Sequence, residues 1–384
     1  MSVALVVILG LLTQADGCGR RYSSIECVSF LPDGSRLAVS RLDARNANTP
    51  LKLYKANVSR TISLLDASDG TPARLLHQDF ERGNQGPAFR LWRFNRTSVA
   101  CISEDSVAAQ KFGGGPVTVY STGDNQAPRT LKSLDHPAVN IAASGDGAFL
   151  AASGWHETSV IDLHTDTVIR RQQMPDISFL GASLLSFSLD NRRIAIANQP
   201  GVQIWELNRL DEKPSTFTLP LEEQVNGISL LPDGSVILAA ASGLRQYDPS
   251  GEVVRVFSGV LGYYACRVSG DGTTIAATTG SRVELYDLST GNLLRRLRPG
   301  FTTCMAFSPD GTHLAVGGGN GLVKLLDTSS GNIVWNEKAE GRYRLPSTVP
   351  LIALVLWFCC FVVMLCRRSE ASDTQVTPAT PPTA

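Results

Sequence analysis

Apolar and polar positions along the chain fall into short runs broken by turn residues, and the clearest example lies between Cys304 and Trp335. Cys304–Phe307 is apolar, Pro309-Asp310-Gly311 turns the chain, and His313–Val316 runs back. Gly317–Gly321 is a loose turn, Leu322–Leu326 a third run, and Asp327–Gly331 turns into Ile333-Val334-Trp335. An Asp-Gly pair between two such runs is a strong hairpin signal, because both turn residues tolerate positive φ. The pattern therefore predicts a four-stranded antiparallel meander. A sheet this small cannot bury both of its faces alone and needs neighbours of the same kind.

The chain supplies them. Related units start at Cys266, Ile228, Leu185 and Ile141, each with the same order of apolar runs and turns. The first-turn residues Asp146, Asp190, Asp233, Asp271 and Asp310 are spaced by 44, 43, 38 and 39. The second-turn residues Asp162, Glu206, Asp248, Asp287 and Asp327 follow at 44, 42, 39 and 40. Two looser copies precede them. One pairs Val28–Ser40 with Thr61–Leu76, and the other pairs Phe89–Ser103 with Pro116–Leu131. Seven units result.

The hydrophobic-SPDG-xx-LA pattern of Phe307–Ala315 and the Val/Leu-x-Leu/Ile-x-Asp run before each second turn resemble the WD40-like β-propeller families. The place of the family's Trp-Asp dipeptide is held by Trp205-Glu206, Tyr247-Asp248, Tyr286-Asp287 and Leu326-Asp327, so the resemblance is to a divergent member. It covers about Ile25 to Lys338 and implies an all-β, seven-bladed propeller domain over residues 22–338. Radial repetition suits seven even meanders better than an open sandwich, since it leaves only short edges unpaired.

Two stretches interrupt the even spacing. Arg41–Arg60 is expected as a polar insertion between the second and third strands of blade one, and Ser103–Gly115 as its counterpart in blade two. Long loops on a rigid scaffold are where binding commonly resides. Lys52, Tyr54 and Lys55 are the contacts expected of the first loop, with a plain surface loop as the alternative.

Residues 345–366, LPSTVPLIALVLWFCCFVVMLC, contain no charge. Their number matches the roughly 20 residues that cross a hydrocarbon core. Leu, Ile, Val and Phe here favour insertion by about 0.3–0.6 kcal/mol each. The stretch reads as a transmembrane helix, and residues 367–384, nearly free of apolar side chains, as a short disordered tail. Lys338, Arg342 and Arg344 precede the span and Arg367 and Arg368 follow it, a balance that fixes no orientation. Val3–Leu12 is too short to span a bilayer but suits a signal-peptide core within residues 1–17, although no basic residue precedes it. An outer strand closing the ring is the alternative. An exported chain halted by its anchor would hold the propeller outside the cytosol; a tail anchor would leave it inside. Cys18 sits in a weak lipobox context and is a lipidation site in that reading.

Composition narrows the partners. Lys plus Arg number 35 and Asp plus Glu 35, for a formal net charge of zero, so no basic field gathers nucleic acid. The eight cysteines form no disulfide framework. Cys266 is five residues before its turn Asp271 and Cys304 six before Asp310, which sends them to opposite faces of neighbouring blades. A bridge between them and two buried free thiols both remain open.

No catalytic constellation stands out. His77, His136, His156, His164 and His313 lack partners at metal-ligand spacing. No Gly-x-Ser-x-Gly elbow is present, and Gly113–Gly115 lacks the Lys-Ser/Thr end of a phosphate loop. The turn aspartates have a structural use. No cofactor is expected. The leading reading is a membrane-anchored, non-catalytic scaffold for a protein, peptide or glycan, touching lipid through one helix. One alternative is an enzyme, hydrolase or oxidoreductase, with Asn140, Asn226 or Arg267 converging in a central channel. Another is a membrane sensor subunit.

Overall fold

The fold was taken from a computed structural model, which describes residues 21–45, 57–81, 98–110, 116–123, 126–154, 156–173, 184–198, 201–209, 212–220, 225–259 and 262–338. The proposed leader, Cys18, the loop residues Lys52, Tyr54 and Lys55, the uncharged stretch 345–366 and the tail lie outside these.

The described residues form seven four-stranded antiparallel sheets, each built from four strands consecutive in sequence. Blade seven has strands Thr302–Phe307, His313–Gly318, Leu322–Asp327 and Ile333–Lys338, the predicted meander with each strand slightly longer. Blade six follows the same plan with Ala265–Val268, Thr274–Thr278, Val283–Asp287 and Leu293–Leu297. The first strand of each blade packs on the first strand of the next, and Thr302–Phe307 of blade seven packs back on Arg21–Phe30 of blade one. The described residues form an all-β, seven-bladed propeller.

The core sits between blades. Seven apolar clusters fill the seven seams, each drawing on two neighbouring sheets. In the second strand of blade six, Ile275 and Ala277 face blade five while Ala276 faces blade seven. Both faces of a second strand are therefore buried, which is why these strands read as unbroken apolar runs rather than alternating ones. Each fully buried Leu or Ile contributes roughly 1.5–3 kcal/mol, and residues such as Leu150, Ile194 and Leu314 are wholly enclosed.

Aspartates hold the turns on one face of the ring. The Asp310 carboxylate accepts the Ser308 hydroxyl at 2.5 Å, the Thr312 amide at 3.1 Å and the Thr312 hydroxyl at 2.7 Å. Gly311 takes φ of 71°, as the turn requires. At the second turn Asp287 accepts the Ser289 hydroxyl and the Thr290 amide, which hold its carboxyl down to about 2. These bonds consume the carboxylates within their own turns.

The ring closes without strand exchange, because blades one and seven are each complete in sequence. The joint is made by side chains. Thr303 Oγ1 donates to Ile25 O at 2.6 Å, Trp335 Nε1 donates to Ala67 O at 2.9 Å, and one apolar cluster spans both blades.

Two expectations about the insertions are corrected. Arg41–Arg60 is not simply a loop. The second and third strands of blade one, Arg36–Arg45 and Asn57–Asp66, stay paired out to Arg45↔Asn57. Arg41, Thr61 and Arg60 are buried, with Arg41 held by Ser23 and Asp43 at 3.0 and 2.9 Å. Ser103–Gly115 is likewise no inserted loop, because it contains Ser106–Gln110, the second strand of blade two. Val99–Ser103 is the inner strand of that blade, one position earlier in the meander than its sequence suggests.

Candidate functional site

Each inner strand begins on the face of the ring that also carries the turns between second and third strands; this is the upper face. The aspartate turns lie on the lower one. On the upper face blade one stands tall. Its pair Arg21↔Arg45 lies four rungs beyond Ile25↔Arg41, a rise of about 13 Å at roughly 3.3 Å per residue.

Two aromatic rings stand exposed on this face where blades six and seven meet. Tyr264 immediately precedes the inner strand of blade six and Phe301 that of blade seven. They are 58% and 62% exposed, the highest values among the large apolar side chains described. Both converge on Gly280, in the turn between the second and third strands of blade six. A Cβ there would lie 3.4 Å from Tyr264 Cε2 and 3.6 Å from Phe301 Cε2. Backbone bonds fix the group. Tyr264 N donates to Thr278 O at 2.8 Å, Thr302 N to Gly280 O at 2.6 Å, and Gly319 N to Phe301 O at 3.1 Å. Lys324 Nζ donates to Pro299 O at 2.6 Å, and Arg298 stands exposed beside it. The rings are held in place by these backbone hydrogen bonds.

Beneath this surface lies a buried carboxylate. Glu284, only 2% exposed, accepts the Tyr263 hydroxyl, the Tyr286 hydroxyl at 2.8 Å and Arg296 Nε at 3.0 Å. Burial alone would raise its carboxyl, but these three donors more than offset that and hold it below the ordinary value. Burial chiefly drives Tyr263 upward, and the same hydrogen bond to Glu284 adds to it. Every member has a partner, as a structural network requires.

The residues that the enzyme reading placed in a central channel each make a structural hydrogen bond. Asn226 Nδ2 donates to Tyr263 O at 2.9 Å, Arg267 Nη1 to Cys266 O at 2.8 Å, and Asn140 Oδ1 lies 3.5 Å from Ser98 Oγ. Each serves its own strand or a neighbouring blade. Cys266 and Cys304 are free thiols facing different neighbours, Cys266 toward blade five and Cys304 toward blade one. The opposite facing inferred from sequence turns them away from their shared seam, so no bridge forms. Burial pushes the Cys266 thiol up to about 11 and the Cys101 thiol up to about 12, which makes both poor nucleophiles. Among the described residues no cluster of three His, Cys, Asp or Glu could hold a metal ion.

Tyr264 and Phe301 were not singled out by sequence. The signal lay in Gly262-Tyr263-Tyr264 and Pro299-Gly300-Phe301, where a turn glycine sets an aromatic residue at the start of an inner strand.

The family model for the WD40 repeat (WD domain, G-beta repeat) matches residues 292–327. That span runs from just before the outer strand of blade six through the third strand of blade seven. The sequence repeat is thus offset by one strand from the blade, and Phe301 lies inside it. The described residues thus form a seven-bladed β-propeller, and one stretch of it matches the WD40 repeat. Propellers of this kind are typically interaction scaffolds that bind other proteins or peptides. No curated protein matches the chain.

Proposed function

We propose that this protein is a membrane-anchored, non-catalytic scaffold that docks a protein or peptide on its upper face, between blades six and seven. The observation that carries the reading is the convergence of Tyr264 and Phe301 over Gly280. Aromatic residues are enriched at interfaces, and Tyr is among those that carry most of the binding energy there. Arg298, exposed three residues before Phe301 in sequence, favours a partner with acidic groups around an apolar anchor. Blade one walls the same face, and in this reading Lys52, Tyr54 and Lys55, which lie in sequence between its second and third strands, are secondary contacts. The uncharged stretch 345–366 is the anchor in this reading. The apolar start of the chain favours a propeller outside the cytosol, and protease accessibility in intact cells tests that orientation.

The site is tested by chemical crosslinking and affinity capture from the native membrane, with the full chain and a Tyr264→Ala/Phe301→Ala variant in parallel. A specific partner recovered by the first should be recovered about 10–30-fold less by the second, the effect of losing one hot spot of about 2 kcal/mol. Equal recovery removes the assignment.

A further inference from the structure

Among the described residues, large exposed apolar side chains on the outer strands gather on blades five to seven, with a single one, Leu75 at 56%, on the adjoining blade one. The outer strands of blades five, six and seven read VVRVFS, LLRRL and IVWNEK. Val254, Leu294 and Val334 on them are 57%, 54% and 48% exposed. The outer strands on the far side read RT, TVIRRQQ and STFT and present no large exposed apolar side chain among the described residues. Arginines flank the apolar positions. Arg295 Nη1 donates to Ser330 O of blade seven at 2.9 Å, and the Arg295 side chain lies against Gly331. Apolar groups bordered by guanidinium groups match the chemistry of a lipid headgroup boundary.

The covalent chain points the same way. Ile333–Lys338, the outer strand of blade seven, is the last described strand, and the uncharged stretch begins at Leu345. Seven peptide steps of at most about 3.6 Å keep the end of that strand within roughly 25 Å of the bilayer. A face-on approach through the upper face is obstructed by the rise of blade one. An edge-on approach puts that rise parallel to the lipid surface and leaves Tyr264 and Phe301 open to a partner.

We propose that the outer strands of blades five to seven form a membrane-contact strip. It lays the propeller edge-on against the bilayer, with the side chains of Val254, Leu294 and Val334 at the headgroup–acyl boundary. The proposal rests on the anchor reading above.

The test uses the full chain reconstituted into phosphatidylcholine–phosphatidylglycerol vesicles. p-Benzoylphenylalanine is placed singly at positions 254, 294 and 334, and at 130, 167 and 216 on the far outer strands as controls. All six side chains are exposed, so folding should be retained. After illumination, lipid adducts should be several-fold more abundant at the first three positions. If the chain resists carbonate extraction but adducts are equal on both sides or absent, the strip falls and the anchor stands. Adducts from the strip to a second copy of the chain likewise overturn it, in favour of self-association. Release by carbonate removes both readings.

Discussion

Glu284 shows how a buried charge is made tolerable in this fold. A carboxylate removed from water needs partners for its lone pairs, and two tyrosine hydroxyls and a guanidinium supply them. Glu284→Gln removes the charge but keeps the shape, and should cost about 1–3 kcal/mol, the worth of hydrogen bonds to a charged group. Glu284→Ala should cost more, because both hydroxyls lose their shared acceptor. The folded carboxyl is held below its ordinary value of 4.5. Its contribution is therefore fully present above that value and is lost as pH falls through the folded value. The stability gap between wild type and Glu284→Gln, measured by urea unfolding, should be widest at neutral pH and narrow in acid. A gap independent of pH would mean the charge contributes nothing.

At the scale of the element, the joint between the first and last blades is the place where the ring depends on side chains alone. Trp335 lies across Gly70, where an added Cβ would come within 2.6 Å of the ring, and Gly70 also takes φ of 78°. Gly70→Ala meets both obstacles and should destabilise by about 1–3 kcal/mol. Trp335→Phe keeps most of the contact but leaves Ala67 O without its donor, and should cost about 1 kcal/mol. Thermal melts of the two variants check the order; a Gly70→Ala protein as stable as wild type would show that the joint yields easily. The blade pattern itself was legible in the sequence, because Asp-Gly turns and apolar runs are local signals. The joint was not, because Thr303–Ile25 and Trp335–Ala67 are separated by almost the whole chain. Blade two was misplaced by one strand since Ser103–Ser106 turns without the Asp-Gly pair that marks most of the other first turns. Tyr264 and Phe301 were hidden for a different reason: exposure is a tertiary property, and an aromatic residue before a strand reads as core until its neighbours are known.

For the molecule as a whole, the seven seam clusters run, among the described residues, from Ile25 to Trp335. Contacts divide the chain into residues 1–339 and 340–384, and every described strand belongs to the first. In the anchor reading the work of the uncharged stretch is location, and the propeller folds without it. A chain ended after Lys338 should fold to the same ring and unfold with a midpoint within a few degrees of the full chain, since less than about 1 kcal/mol is at stake. It should also fractionate away from membranes, while the full chain stays with them through carbonate extraction. The two readouts separate stability from placement. A truncated protein that still sediments with membranes would assign the attachment to the propeller or to the chain's apolar start. A truncated protein that melts much earlier would show that residues beyond 338 complete the ring, and blade seven, whose outer strand ends there, is where the loss would begin.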